Sequence, residues 1–217
     1  MAAFANVSGQ GVVSLNLAIP LYGLWVADVE LSLGSLIASG PLSLVIGNMT
    51  LTGAVYRQGS FAGQVKARLV GGAGGWSQLV EARGYNNPAG VLLSMVVGDA
   101  ATEVGEKVAI AQDQVLGNFY ARFADKASRV LAAVGGPSWW VDSSGVTHIG
   151  PRAASTITSS FVVEDYRPHT GELTIATEDY ASWQPGATFT SATTGTQTVA
   201  SVRHVMKDSA TMKVMAA

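Results

Sequence analysis

The sequence predicts a mainly β fold with a small α/β insertion between two β units. Short runs of alternating apolar and polar residues, separated by Gly, Pro and Asn turns, fill the first third of the 217-residue chain and return from about Thr156. Two stretches with helical spacing lie between them. The 25 glycines, with frequent Thr and Val, suit strands joined by tight turns. We therefore predict domains at residues 1–86, 87–155 and 156–217.

The first unit is predicted to be an antiparallel meander curled into a barrel, because its strands follow one another through short links. The apolar residues expected on the inner face of its five strands are Val13, Leu15, Leu17 and Ile19; Trp25, Val29, Leu31 and Leu33; Leu42, Leu44 and Ile46; Met49, Leu51 and Val55; and Val65, Ala67 and Leu69. Pro20 ends the first strand, since it cannot donate to a ladder. Gly40-Pro41 and Gly47-Asn48 are predicted turns, and Gln58-Gly59 leads toward the last strand.

The pattern changes to helical at Asn87-Pro88, a favoured N-cap followed by a favoured first helical residue. The apolar residues that follow at helical spacing are Val91, Leu92, Met95 and Val96. Asp99 and Glu103 then lie toward the C-terminal end, where carboxylates are mildly unfavourable. Either the helix ends near Gly98, or these two carboxylates have partners elsewhere in the fold.

A second helix is predicted from one apolar stripe with Asp125 and Lys126 on its outer face. The stripe comprises Phe119, Phe123, Ala127, Val130, Leu131 and Val134. Gly135-Gly136-Pro137 ends this helix, because Gly adopts the left-handed cap and Pro cannot continue the helix.

A hairpin follows, with Trp139–Val141 and residues 146–149 as its strands and Asp142-Ser143-Ser144-Gly145 as its turn. The strands expected in the last unit are residues 161–163, 173–176, 187–191, 198–205 and 212–215. Trp183-Gln184-Pro185-Gly186 and Lys207-Asp208-Ser209-Ala210 are predicted turns within it.

Few residues indicate chemistry, and the sequence predicts no catalytic, cofactor-binding or metal site. The run Gly71-Gly72-Ala73-Gly74-Gly75 is interpreted as a turn or bulge with Trp76 as a buried anchor, since residues 76–80 look extended rather than helical; a phosphate-binding loop is the alternative. The histidines, His148, His169 and His204, lie far apart, which disfavours a metal site. We expect His204 at a strand edge and His169 in an exposed turn.

Two other functions remain open at this point. Trp139-Trp140 and Trp183 could form a sugar-stacking platform in a carbohydrate- or receptor-binding module. The acidic pairs could serve a hydrolase, which needs two carboxylates beside a cleft; they are Asp99/Glu103, Glu164-Asp165 and Glu178-Asp179.

Charge is scarce, at 13% of residues, about half the usual 25%. Arg57 is the first positive charge, and only Asp28 and Glu30 are ionised before it. No apolar run reaches the ~20 residues of a membrane helix, and residues 1–10 lack the basic start of a secretory signal. Such a chain is expected to hide much of its surface against protein neighbours.

Net charge and cysteine content narrow the classes further. The net charge of −2, with scattered basic residues, indicates neither nucleic-acid nor anionic-lipid binding. The chain has no cysteine, so it forms no disulfide, which fits assembly in a reducing cytoplasm.

Three stretches resemble one known family. The opening "LAIPLYGLWVADVELSLG…GPLSLVIGNMTLTGAVYRQGSFAGQVKARLVGGAGGW" resembles that of baseplate hub (late control protein D-like) proteins of tailed bacteriophages. "SWWVDSSGVTHIGPR" resembles their inserted domain, and "WQPGATF…TVASVRHVM" resembles the Pro-Gly turn and closing strands of their second barrel. The likeness covers nearly the whole chain, and its motifs are structural rather than catalytic.

The resemblance implies two tube-like β-barrels flanking the α/β piece, in a homotrimer whose six barrels mimic a sixfold tail tube. It implies a structural role at the distal end of the virion tail, after assembly in the host cytoplasm. The implied partners are the tail tube protein, the central spike and other baseplate proteins, with DNA only as cargo passing through the channel. No enzymatic activity, no cofactor and no fused lysozyme-like segment are expected.

Overall fold

The computed structural model describes residues 4–32, 35–207 and 209–216, and it is mainly β. The strands of the first unit are β1 (Ala5–Val7), β2 (Gln10–Pro20), β3 (Val26–Leu31), β4 (Leu42–Ile46), β5 (Met49–Phe61) and β6 (Gln64–Gly71). They pair in the order β1-β4-β5-β6-β3-β2, and β1 also pairs with β2. This last pairing closes a six-stranded barrel, so the predicted first barrel is confirmed.

Two details of this barrel differ from the sequence pattern. A register shift in β2 turns Val12 inward and leaves Val13 49% exposed, because the bulge adds one residue and reverses the alternation. Gln58-Gly59 lies inside β5, and the turn to β6 is Ala62-Gly63, both with positive φ as a tight hairpin requires. The predicted inward position of Leu33 lies outside the described residues.

The middle of the chain forms a mixed unit with its own apolar core. After one 3-10 turn (Gly75–Ser77), its elements are β7 (Leu79–Val80), β8 (Arg83–Leu92), α1 (Leu93–Glu103), β9 (Val108–Ile110), β10 (Val115–Arg122), β11 (Asp125–Lys126), α2 (Ala127–Gly135), β12 (Trp139–Val141) and β13 (Thr147–Ile149). β8 and β10 form a two-stranded ribbon, β7 pairs with β11, and β9 joins the predicted β12–β13 hairpin. Within the described ranges, no helix combines the length and apolar character needed to cross a bilayer.

The predicted start of the first helix is wrong. Asn87-Pro88 lies in β8, where Asn87 Oδ1 accepts a hydrogen bond from Ala89 N at 3.0 Å, and α1 begins only at Leu93. The helix is capped from a distance, because Asp113 Oδ1 accepts the Ser94 N–H at 3.0 Å. A partner 19 residues away therefore replaces the local cap that the sequence suggested.

Of the two alternatives for the end of α1, the second holds. The helix continues past Gly98 to Glu103, and both carboxylates have cationic partners. Asp99 pairs with Arg83 at 3.0 Å, and Glu103 pairs with the buried Arg122 at 2.6 Å. These ion pairs tie α1 to both strands of the ribbon.

The second helix is shorter than predicted. Ala127, Val130, Leu131 and Val134 are buried in α2, and Gly136 ends it with φ 75° as expected. Phe119 lies instead in β10 and Phe123 follows that strand, and they are 74% and 80% exposed. A spacing of four residues places side chains on one face of a strand as well as near one face of a helix, so the pattern alone was ambiguous.

The strands of the last unit confirm the predicted set. They are β14 (Ser155–Thr156), β15 (Val162–Arg167), β16 (Glu172–Ala176), β17 (Ala187–Ser191), β18 (Gly195–Met206) and β19 (Ala210–Ala216). β18 pairs with both β2 and β19, which extends the barrel sheet through β2-β18-β19-β16-β15. One apolar core underlies both β units. The described parts of β14 and β15 do not pair with each other, so the second barrel stays a prediction; Asp208 of the predicted final turn lies outside the described residues.

Candidate interaction surfaces

A single polar sheet face spans both β units. From β5 to β15, eight strands follow one another with their inward side chains in the common core. The outward side chains that cross the middle of this face are Arg68, Asp28, Asn16, Arg203, Lys213 and Glu172. They are linked in pairs: Arg68 binds both oxygens of Asp28 at 2.7 Å, which holds the pKa of that carboxyl below its usual value. The face is therefore a hydrated surface held by charge pairs.

The ribbon formed by β8 and β10 presents a different surface. Its inner face carries Tyr85 and the buried Arg122 against α1. Its outer face is uncharged, because Phe119 lies opposite Asn86 in the register, and Phe123 continues the same side. Two phenylalanines more than 70% exposed on an uncharged strand face are typical of a surface that a protein neighbour covers. The alternation of residues 119, 121 and 123 was the signal that could have identified this face.

The backbone N–H groups of the glycine-rich run bind a carboxylate, and this carboxylate belongs to the chain itself. We call this loop the cradle. Glu106 accepts hydrogen bonds from Gly75 N at 2.7 Å and Ala73 N at 3.0 Å. Glu106 is 7% exposed, so this carboxylate fills the loop from inside the fold. A Cβ at Gly75 would lie 2.1 Å from Val104 O, which explains why glycine stands there. The loop is thus a structural junction between the barrel and the mixed unit, and sequence reasoning missed Glu106.

The Trp76 side chain anchors this junction as predicted, but its backbone conformation differs from the prediction. The indole is 1% exposed and donates from Nε1 to Thr147 Oγ1 at 2.8 Å. The predicted extended conformation of residues 76–80 is wrong for Trp76, because Gly75–Ser77 forms a 3-10 turn before β7.

Glu106→Gln is expected to lower the free energy of unfolding by about 1–3 kcal/mol. The amide loses the charge on both hydrogen bonds and places an NH₂ group against one buried backbone N–H. Urea denaturation followed by tryptophan fluorescence measures the change. Glu81→Gln, at an exposed position after β7, is the matched control and should change stability by less than about 0.5 kcal/mol. Equal midpoints for Glu106→Gln and the control would contradict the role of the cradle.

The three tryptophans predicted as a sugar-stacking platform do not share one exposed surface, because Trp183 belongs to the core. Trp183 is fully buried beside Phe161 and Phe189. Trp140 stacks on the His148 ring at 4.4 Å, and the Arg152 guanidinium lies over its ring at 4.2 Å. Because stacking on a sugar needs an open aromatic face, the predicted use of Trp183 is wrong, whereas a platform of Trp139 and Trp140 stays a prediction.

Arg152 instead fastens the start of the last unit to the barrel. Its Nε donates to Leu21 O at 2.9 Å and its Nη2 donates to Pro20 O at 3.1 Å. Burial lowers the pKa of Arg152 to about 10, which leaves the guanidinium charged at neutral pH. A second link comes from Asn48, which donates to Asp179 Oδ1 at 2.9 Å and accepts from Ala181 N at 3.1 Å.

The histidines are placed separately. His148 Nε2 lies 2.8 Å from Asp142 Oδ2, and His169 is in an exposed turn as expected. His204 is not at a strand edge: it is 3% exposed, in the middle of the core beside Tyr180. In the part of the chain that the structure describes, no group of three His, Asp, Glu or Cys side chains could hold a metal ion.

Three of the six acidic residues considered for a hydrolase have structural partners: Asp99, Glu103 and Asp179. Asp99 and Glu103 are committed to arginines, as described above. Asp179 accepts hydrogen bonds from Ser182 and Asn48, and these lower its pKa to about 2. Glu164 and Asp165 lie next to each other in β15, where Asp165 contacts Arg167 at 3.4 Å.

Comparison with known proteins shows likeness only at the level of structure. No family model and no curated protein matches the sequence. The 43 kDa tail protein of prophage MuSo2 from Shewanella oneidensis superposes with a TM-score of 0.69 and 11% identity, covering 98% of this chain and 96% of that one. A tail protein from Neisseria meningitidis MC58 gives 0.66 and 13%, covering 99% and 95%.

A third structure with the same fold comes from a secretion system. The E. coli c3393 protein gives a TM-score of 0.69 and 10% identity, covering 98% of this chain and 76% of that one. It is described as a component of the type VI secretion system, structurally similar to the T4 bacteriophage tail proteins gp27 and gp5. Since the identities are 10–13%, these matches establish the fold. They agree with the resemblance to phage tail proteins found in the sequence.

Proposed function

We propose that this chain is a structural, non-enzymatic component of a phage tail: the central hub of the baseplate. In this role three copies form a ring at the distal end of the tail, join the tail tube to the central spike and surround the DNA channel. The observation that carries the proposal is the shared fold, which extends over 98–99% of the chain with two phage tail proteins and a type VI secretion component.

The sheet supports a ring built from two β units per copy. The closed barrel and the last unit share β2–β18 pairing and one core, so each copy contributes a rigid pair of β units. Three such pairs would place six β units around one axis. The division at residues 1–86, 87–155 and 156–217, with a second tube-like barrel in the last part, belongs to this proposal.

The surfaces support contact with neighbours. The outer face of the ribbon exposes Phe119 and Phe123, and no charged residue lies opposite Phe119 in the register. A surface of this kind loses apolar area from water when tail proteins assemble, which favours association. No cofactor is required for this role, and folding of the cysteine-free chain is compatible with the host cytoplasm.

The oligomeric state tests the proposal directly. Size-exclusion chromatography with light scattering is expected to give three times the 22.4 kDa mass of one chain, or a larger closed assembly. Negative-stain images of the same fraction should show rings with a central opening. A dilution series is the control, because a specific trimer keeps its mass over a range in which non-specific aggregates change continuously. A monodisperse monomer at high protein concentration would overturn the hub assignment.

A further inference from the structure

The end of the β5–β6 hairpin, residues 56–66, is called the arm here; its β6 side pairs with β3 as far as Val65, so only its β5 side and its tip lie at the rim of the barrel. β4 pairs with β5 only as far as Gly53, so the rest of β5 pairs with β6 alone. The outer side of the arm is held at one point, where the Gln58 amide binds Ile37 N and O at 2.8 Å each. At the tip, Phe61 is 87% exposed.

The arm also carries a positive charge, Arg57, which helps to lower the pKa of Asp28 but forms no ion pair among the described residues. Lys66 pairs with Glu30 at 3.5 Å, and the neighbouring Arg68 pairs with Asp28. Arg57 is exposed, and no carboxylate of the described residues lies within 4.0 Å of it. Arg57 and Phe61 share one face of the strand, about 13 Å apart at ~3.3 Å per residue. The arm therefore presents an apolar tip with a cation behind it.

The far end of the same sheet carries a groove of opposite character. It has a volume of about 630 Å³ and lies between the start of β15 and the end of β16. Its apolar part contains the half-buried Phe161 and Val162, which is 63% exposed. Glu178 lies on one rim and Glu164 two residues beyond Val162, and neither has a cation within 4.0 Å among the described residues.

The edge of β15 is unsuited to strand addition. The register shift between Val163 and Asp165 places a bulge at Glu164, and charged side chains stand along the edge. Bulges and charges are the devices that prevent edge-to-edge pairing. A partner at this groove must therefore insert side chains rather than add a strand.

The arm and the groove do not meet within one copy. β5 and β15 are at opposite ends of the eight-strand order, and no hydrogen bond or ion pair in the described part of the chain joins arm to groove. Two different, complementary surfaces on one chain are what a heterologous, ring-closing contact requires.

We propose that the arm of one copy docks in the groove of the next, with Phe61 against Phe161 and Val162 and with Arg57 against the acidic rim. This inference rests on the proposed trimeric ring and specifies the contact between neighbouring copies in it. The apolar tip is removed from water in the groove, and the charge match fixes the direction in which copies follow each other.

Charge reversal on both sides tests the contact. Arg57→Glu is expected to raise the concentration at which the trimer half-dissociates by ~10-fold or more, because a like charge then faces Glu164 and Glu178. Glu164→Arg/Glu178→Arg should have a similar effect. Combining all three changes should return the half-dissociation concentration to within a few-fold of the original. Lys126→Glu, an exposed reversal in β11, is the matched control and should leave it unchanged.

A second variant tests the tip without altering charge. Phe61→Ser should weaken the trimer by ~10-fold or more. It should leave the thermal unfolding of the monomer unchanged, since the Phe61 side chain is 87% exposed within its own chain. If the original chain is monomeric, the ring itself is refuted. If the original chain is trimeric and neither Arg57→Glu nor Phe61→Ser weakens it, the ring stands and the arm-in-groove contact is refuted. Failure of the triple variant to restore assembly would refute the charge pairing.

Discussion

Leu131→Asp is expected to lose about 4 kcal/mol or more of stability in the mixed unit, which is enough to unfold it. Leu131 is 1% exposed in α2, in the apolar cluster that joins the two helices to Trp76. A carboxylate at this position has no cation within the cluster, so its burial costs free energy whether it ionises or takes up a proton. Because this cluster is separate from the core of the two β units, the barrel is expected to remain folded.

Far-ultraviolet circular dichroism and limited proteolysis measure this outcome. The helical signal should disappear, and cleavage should begin within residues 79–149 while the β units resist. Ala132→Asp is the matched control, since it introduces the same side chain at the next, exposed position of the same helix. The control should melt within a few degrees of the original chain. A Leu131→Asp protein with an unchanged melting temperature would show that the α1–α2 core is not what holds the unit together.

The parts of the fold that depend on neighbouring residues were predictable. Alternation within β4 and the turn residues Gly47-Asn48 predict the β4–β5 hairpin from adjacent residues alone. Pro20 ends β2 because it has no backbone N–H to donate, and Gly136 ends α2 because glycine adopts a positive φ at no steric cost. In each case the determining interactions span only a few residues.

Features set by distant partners were missed: the start of α1 was mispredicted, and the glycine loop was predicted as a turn without its carboxylate partner. The start of α1 depends on Asp113, and the conformation of the glycine loop depends on Glu106, 31 residues beyond Gly75. Nothing in the local sequence marks either carboxylate as a backbone acceptor. The prediction that Phe119 lies in the second helix was wrong for another reason. Its spacing fits both a strand and a helix, and only pairing with Asn86 decides between them.

The sequence predicted that part of the surface is covered by neighbours, but it did not predict which residues form that surface. Low charge content indicated a covered surface, yet it could not show that the exposed aromatic residues lie on the ribbon and the arm. That placement depends on sheet order, above all on the pairing of Leu17 with His204 across most of the chain. Long-range pairing of this kind leaves no periodic signal in the sequence, because either strand would show the same alternation beside any apolar neighbour.

The same pairing buries His204, which is expected to make the protein sensitive to acid. The imidazole lies between β2 and β19, with the Tyr180 ring 5.5 Å away, and its Nε2 has no hydrogen-bond partner in the described residues. Burial lowers the pKa of His204 to about 4, whereas an unfolded histidine has a pKa of about 6.5. The unfolded state therefore binds a proton first as the pH falls, and the folded state is destabilised.

The expected loss is confined to one pH window. Above pH ~6.5 the imidazole is neutral in both states, so this site does not change the stability. Between pH ~6.5 and ~4 the free energy of unfolding should fall by up to about 1.4 kcal/mol per pH unit, about 3 kcal/mol in total. Below pH ~4 the loss from His204 is complete. Urea denaturation at a series of pH values measures this slope. His204→Leu should remove it, because leucine fills the apolar site without titrating, while the losses from Asp28 and Asp179 at lower pH remain. His169→Leu, in an exposed turn, is the control that should keep the slope. An identical slope in His204→Leu would show that the acid sensitivity does not come from His204.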